Sequence, residues 1–466
     1  MDQLNEYDCR TIAGNLFSHN HWQAPIFTLL QSGESCVVVG PASMGKSRLL
    51  RFLLRGDVQA HYLGDSAATT WLVLVDCHRL AEAPEWGLYE LLLTALTETA
   101  SGRLGPTVRD WLNDLRIKTI LGGDGRQERE KITKRDALLA RRHVELATRV
   151  LIREHGVKLC FVFDEFDDAY RTLPASALAN LRALRDADRY SLCYLLILRD
   201  HPARLRTPGD HEGFYELFSR SILGLKPYTA EDARRVIAQL AARRRRPVTP
   251  QEEDDLLILS GGHPGLLVAL FDVLVHTASG FPTDRLTAWA AGQHQVVEEC
   301  RKLWSGLAQD EQLALSRLAQ GIGAPYAVRE LLALKGLIDA PTGAEATFRS
   351  PLLREYVLTQ GTLTARGLWL DEAAAVVWVE DRRVADLTRL EFELLRYLHR
   401  RLGEVCTRDE IMSVLYPNEP LDAPGGENRV DSLMRHLRKA VEPAPERPRY
   451  LLTVRGLGYK LVDKPE

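Results

Sequence analysis

The octapeptide GPASMGKS, Gly40–Ser47, restricts what this chain can fold into more than any other stretch. It fits the pattern G-x-x-x-x-G-K-[ST] at every fixed position: Gly40, Gly45, Lys46 and Ser47. It follows the apolar run Cys36–Val39 and precedes a helical pattern, Ser47–Arg55. Glycines at these positions let the backbone curl so that successive N–H groups converge on an anion, and the helix that follows adds its positive end. Lys46 brings a compact cation toward the outer phosphates, and the Ser47 hydroxyl suits magnesium; Ser43 and Arg48 complete the candidate phosphate-binding set. Three more short apolar runs, Trp71–Val75, Leu159–Phe163 and Leu192–Leu198, alternate with helical stretches, including residues 84–156, which are interrupted at Gly102–Pro106 and Gly122–Gly125. That alternation predicts an α/β domain with a parallel sheet covered on both faces.

The third run ends in Asp164 and Glu165. An acid just past a strand of a parallel sheet lies at the carboxyl edge, where ligands bind. Asp164 is placed to hold magnesium through water, and Glu165 to orient or deprotonate an attacking water. Asp167 and Asp168 read as acids stabilising a helix N-terminus. The fourth run ends in Arg199.

At 466 residues the chain should hold three or four domains. From Thr229 the strands stop, and TAEDARRVIAQLAARRRR opens as a capped helix. We divide the chain into residues 1–228 (the P-loop NTPase core), 229–295 (a helical lid), 296–360 (a small helix-turn-helix with a hairpin) and 366–466, with a break at Gln360–Arg366. The run Arg243–Arg246 reads as a solvated helix end. Seven scattered cysteines, none at CxxC spacing, argue for free core thiols and against a paired-ligand zinc site. No stretch is apolar for long enough to span a membrane, and the acidic start MDQLNEYDCR lacks a secretion signal, so a cytoplasmic location is expected.

FVFDEFD, Phe161–Asp167, resembles the second nucleotide-binding motif of AAA+ ATPases and their relatives. Arg199 stands where the STAND branch often has an arginine that senses the terminal phosphate. GGHPGLL, Gly261–Leu267, resembles that branch's glycine-x-proline motif in the lid. This likeness implies ATP or ADP with magnesium as ligands and Pro264 against the adenine, and it makes 296–360 similar to the winged helix that follows the lid. It also implies a closed ADP form and an open ATP form that assembles into homo-oligomers. His263 reads as a helix cap, its alternative being a face toward the nucleotide.

At the other end, Leu387–Tyr416 reads as two helices with a turn at Gly403, the second capped by Thr407 with Glu410 three residues on. A polar loop, 417–426, leads to NRVDSLMRHLRKAVE and then RPRYLLTVRGLGYKL, two strands turning at Gly456–Gly458. Leu387, Thr388, Glu391, Phe392 and Leu395, then Arg429–Asp431, Leu437–Lys439, and Thr453–Gly456 with Gly458 and Tyr459, resemble the effector domain of OmpR/PhoB-type response regulators. The resemblance implies a winged helix on double-stranded DNA. Its helix from about Asn428 would lie in the major groove, and its wing would put Arg455 in the minor groove. The candidate DNA-binding residues are Arg429, Arg435, Arg438, Lys439, Arg455 and Tyr459. Eight basic and three acidic residues between Asn428 and Lys460 leave +5 there, in a chain of net charge −3.

The pair of signatures predicts an ATP-controlled transcription regulator with slow hydrolysis, responding to an unidentified protein or ligand inducer. Two other readings stay open: a DNA-remodelling or loading ATPase, and a defence sensor. With the ATPase where a response regulator has its phosphoacceptor domain, control by aspartyl phosphorylation is not expected.

Overall fold

The computed structural model describes residues 23–80, 84–121, 134–207, 209, 211–277, 280–282, 285–340, 345–360, 368–371, 376–379, 382–384, 387–416 and 426–462. The N-terminal segment with Cys9, the interruption at Gly122–Gly125, the break at 361–366 and the loop at 417–425 lie outside these residues. The chain forms two compact units. The first is Met1–Leu307 with the strips Ala333–Asp339 and Phe348–Leu353; the second is Ala308–Leu332, Ala340–Thr347 and Arg354–Glu466.

The first unit is built on a parallel sheet. The four expected strands are β1 (Cys36–Val39), β2 (Thr70–Asp76), β3 (Lys158–Asp164) and β4 (Leu192–Leu198), and a fifth, β5 (Ile222–Gly224), completes the order β2-β3-β4-β1-β5. Alternate residues serve opposite layers. Val37, Val39, Val73, Phe161, Phe163, Tyr194 and Leu196 face one apolar core. Val38, Leu72, Cys160, Val162, Cys193, Leu195 and Ile197 face the other. Strands buried on both faces need no polar alternation, which is why they read as continuous apolar runs. β5 escaped the sequence reading because it has three residues, two of them only half-buried, and exists by pairing with β1.

The stretch 84–156 is three helices, Pro84–Ala100, Pro106–Leu121 and Lys134–Arg153. The helical segment opens at Ala230–Arg244, where the Thr229 side chain accepts from the Asp232 N–H. It continues through Pro250–Ser260, Pro264–His276, Leu286–Ala291 and His294–Ser305. The arginine run ends the first of these helices, with Arg244 paired to Asp272 and Arg246 to Glu252. Six of the cysteines are buried and free. The helices Gln309–Ala319 and Tyr326–Leu334, the two-residue strands β6 (Ile338–Asp339) and β7 (Thr347–Phe348), and the helix Pro351–Thr359 follow in the chain.

In the second unit an antiparallel sheet, β8 (Leu368–Asp371), β9 (Val376–Val379) and β10 (Arg382–Val384), precedes three helices, Arg389–Arg400, Arg408–Leu415 and Gly426–Val441. The strands β11 (Val405–Cys406), β12 (Leu451–Val454) and β13 (Gly458–Leu461) form a second sheet in the order β11-β13-β12. Leu370, Val377 and Val379 of the first sheet share one core with Leu394, Leu398, Val430, Leu437, Tyr450 and Leu461. Both expected helix starts are capping boxes, Thr388 with Glu391 and Thr407 with Glu410.

Candidate nucleotide site and nucleic-acid interface

The phosphate loop leaves β1 at Gly40, whose N–H donates to the Leu198 carbonyl at 2.9 Å and so ties the loop to the end of β4. Ser43 and Gly45 both take positive φ, 57° and 96°, and Gly45 caps the helix Lys46–Leu53. This is the curl that a ring of converging N–H groups requires. Lys46 is 7% exposed; its Nζ donates to the Gly40 and Pro41 carbonyls at 2.9 and 3.2 Å. Burial pushes its pKa down, against the pull of the Glu165 charge. Ser47 is exposed, while Arg48 is half-buried and donates to the Tyr228 hydroxyl at 3.0 Å.

The acids stand at the carboxyl end of β3. Asp164 Oδ1 accepts from the Glu165 N–H at 3.0 Å, and burial raises the Asp164 pKa, as does the neighbouring Glu165 charge. Glu165 adopts φ 49°, a conformation uncommon outside glycine and recurrent at functional sites. Arg199 reaches across from β4, and its Nη2 donates to Glu165 Oε2 at 2.5 Å. The Arg199 backbone N–H donates to Asp167 Oδ1 at 2.9 Å. Asp167 and Asp168 do open a short helix, Asp167–Thr172, and Asp167 also holds the end of β4. Lys46 feels the charges of Glu165, Arg199, Asp167 and Asp164. The fold therefore gathers residues from three separate stretches of sequence into one cluster.

Pro264 is the first residue of the helix Pro264–His276, and His263 is its cap, accepting from the Leu266 N–H through Nδ1. Pro264 Cγ lies 3.8 Å from where a Cβ on Gly45 would stand. A Cβ on Gly265 would meet Glu299 Oε1 at 2.0 Å and the Ser43 Cβ at 2.7 Å, so only glycine lets the lid helix sit this close to the loop. A cavity of about 560 Å³ opens beside Ser43, Gly45, Arg48 and Pro264. Tyr228, Asp272, Glu299 and Lys302 also line it. The sequence reading missed these four, since they belong to no motif and meet only in the folded lid.

In the second unit, Val430, Met434, Leu437 and Val441 bury one face of the helix Gly426–Val441. Arg435 and Lys439 are exposed on the opposite face, Arg429 is exposed on its flank over the Tyr416 ring, and Arg455 is exposed in the turn between β12 and β13. Arg438 and Tyr459, expected at the interface, are turned inward. Arg438 donates from Nε and Nη2 to the Leu451 carbonyl at 2.9 and 2.6 Å, and to Thr453 Oγ1. The Tyr459 hydroxyl donates to Asp431 at 2.6 Å, and Arg408 pairs with the same carboxylate at 2.9 Å. Together these bonds brace helix on hairpin.

Residues 27–198 match the family model for the AAA ATPase domain, and residues 382–461 match that for the C-terminal domain of transcriptional regulatory proteins. The chain thus joins an AAA ATPase domain to an OmpR/PhoB-type winged-helix domain. Over 76 residues it is 45% identical to the alkaline phosphatase synthesis transcriptional regulatory protein PhoP of Bacillus subtilis (strain 168), a stretch covering 16% of this chain and 30% of that relative. The chain therefore spans under a third of that relative's length. It is similar to a Walker-type ATPase of Pyrococcus abyssi, at 17% identity and a TM-score of 0.41, over 72% of this chain and 95% of that one. It is also similar to the DNA-binding domain of the response regulator AdeR solved with an intercistronic region, at 29% identity and a TM-score of 0.18, over 21% of this chain and 95% of that one. No helix among the described residues is long and apolar enough to cross a membrane.

Proposed function

We propose that this protein is a transcription regulator of the STAND type whose hold on duplex DNA is set by ATP or ADP. The observation that carries the reading is the cluster of Lys46, Asp164, Glu165 and Arg199 at one sheet edge, in a chain that also presents Arg429, Arg435, Lys439 and Arg455 on a winged helix. The loop N–H groups and Lys46 bind the phosphates. Ser47 and Asp164 offer a hydroxyl and one carboxylate to magnesium. Bound there, magnesium neutralises phosphate charge. Glu165 orients a water for slow hydrolysis, and Arg199 exchanges its carboxylate partner for the terminal phosphate. Pro264 packs on the base.

On DNA, Arg429, Arg435 and Lys439 face the major groove and Arg455 the minor groove, while Arg438 and Tyr459 hold the wing in position. The test is footprinting on the flanking genomic DNA with ATP, with ADP and without nucleotide. A sequence-specific footprint whose occupancy changes with nucleotide is expected. Binding without sequence preference, or DNA-stimulated turnover with nucleotide-dependent filaments, would replace this reading with the loading-ATPase one.

A further inference from the structure

The strip Ala333–Asp339 begins nearly forty residues after the end of the lid at 295, yet it packs within the first unit. Its residue Lys335 is 1% exposed, and its Nζ pairs with Asp200 Oδ1 at 2.9 Å. Asp200 directly follows Arg199, and the same Oδ1 accepts from the His201 N–H at 2.7 Å. One residue further, Gly336 turns with φ 71°. A Cβ there would stand 2.7 Å from Pro227 Cδ and 3.4 Å from the methyl of Met44, a residue of the phosphate loop. The strip is fastened along its length. Lys226 Nζ donates to the Ala333 carbonyl at 3.1 Å, and the Leu334 carbonyl presses on Gly224 at the end of β5, where a Cβ would come within 1.9 Å of it. One short strap therefore lies beside both Met44 of the loop and Asp200, the residue after Arg199.

A second strip is placed in the same way. The Ser350 hydroxyl donates to the Leu259 carbonyl at 2.7 Å, and the Arg349 carbonyl lies where a Cβ on Gly261 would stand. The chain passes from the first unit to the second and back through these strips. Burying a lysine is costly unless it is paired, and a buried ion pair adds little net stability over an apolar pair. In some proteins such a pair instead fixes one register of the elements it joins, and that is the role considered for Lys335.

We propose that the strap Ala333–Asp339, keyed by the Lys335–Asp200 pair, reads the occupancy of the nucleotide site and passes it along the chain into the unit that carries the winged helix. Lys335 is a positioning residue, acting through Asp200 on Arg199. The inference rests on the nucleotide reading above and deepens it.

Hydrogen exchange of the strap amides in the full-length protein, with Mg–ATP and with Mg–ADP, tests it, with nucleotide binding titrated in the same samples. At least about a fivefold difference in strap exchange between the two nucleotides is expected, the lower end of ordinary coupling between sites. Lys335→Met should erase that difference while ATP affinity stays within about threefold, and Lys335→Arg, which keeps the charge, should retain it. Failure to bind nucleotide overturns the functional reading itself. Normal binding with identical strap exchange in ATP and ADP overturns the strap alone, and this is read on the wild type whatever the stability of the variants. A nucleotide difference kept intact in Lys335→Met removes Lys335 from the mechanism.

Discussion

Lys46 and Glu165 carry the sharpest consequences of a single side chain. Lys46→Ala removes the buried cation at the loop and should abolish ATP binding in a titration; unchanged affinity refutes the loop assignment. Glu165→Gln keeps the shape at φ 49° but loses the base, so ATP should stay bound and unhydrolysed in a single-turnover assay. His263 makes a different prediction. Burial lowers its pKa from 6.5 to about 4, against a smaller opposing pull from Glu299. Its Nδ1 must stay unprotonated to accept from the Leu266 N–H. The unfolded imidazole takes up a proton near 6.5, and the folded one resists until about 4. Stability is therefore full above 6.5 and declines as pH falls through that window, by up to about 3 kcal/mol. Melting curves from pH 7 to 4 should show the decline, and His263→Asn, which keeps a capping acceptor, should flatten it.

At the scale of elements, the winged helix depends on buried polar joints. Glu442, 3% exposed at the end of the helix Gly426–Val441, accepts from the N–H groups of Arg449, Tyr450 and Leu451. Glu442→Ala removes the carboxylate that these three N–H groups share and should cost the C-terminal domain about 3 kcal/mol, seen as a lower unfolding midpoint in denaturant. The same scale separates what was legible from what was not. The glycine loop, the four apolar strands β1–β4 and the Thr407 capping box are local patterns, and each stands where its residues predict. β5 and the sheet β8–β10 are not local patterns. Their strands run three or four residues; β1 is as short but is marked by the glycine loop that follows it, whereas these form where a neighbouring edge or core accepts them. The direction of Arg438 was hidden for a related reason. A basic residue on a recognition helix looks the same in sequence whether its guanidinium meets a phosphate or the Leu451 carbonyl.

For the whole molecule, the prediction concerns charge on a chain that is net negative. Two exposed arginines on separate elements, Arg435 and Arg455, should each contact a phosphate or a groove lined by them. The double change Arg435→Ala with Arg455→Ala should weaken duplex binding and reduce the slope of log affinity against log salt by about 2. An unchanged affinity and slope would remove both arginines from the DNA contact.

Sequence alone determined the local signatures this protein carries: a glycine-rich loop after a strand, an acid pair at a strand end, and the helix and hairpin of a winged helix. Each is encoded by neighbours within a few turns of backbone, so the residues suffice to specify it. Only the tertiary structure decided which distant side chains meet. Arg199 comes to Glu165, Glu299 to Gly265, and Lys335 to Asp200 through sheet order and lid packing. Those contacts follow from burial of apolar surface that all the elements share, a property that no single stretch contains.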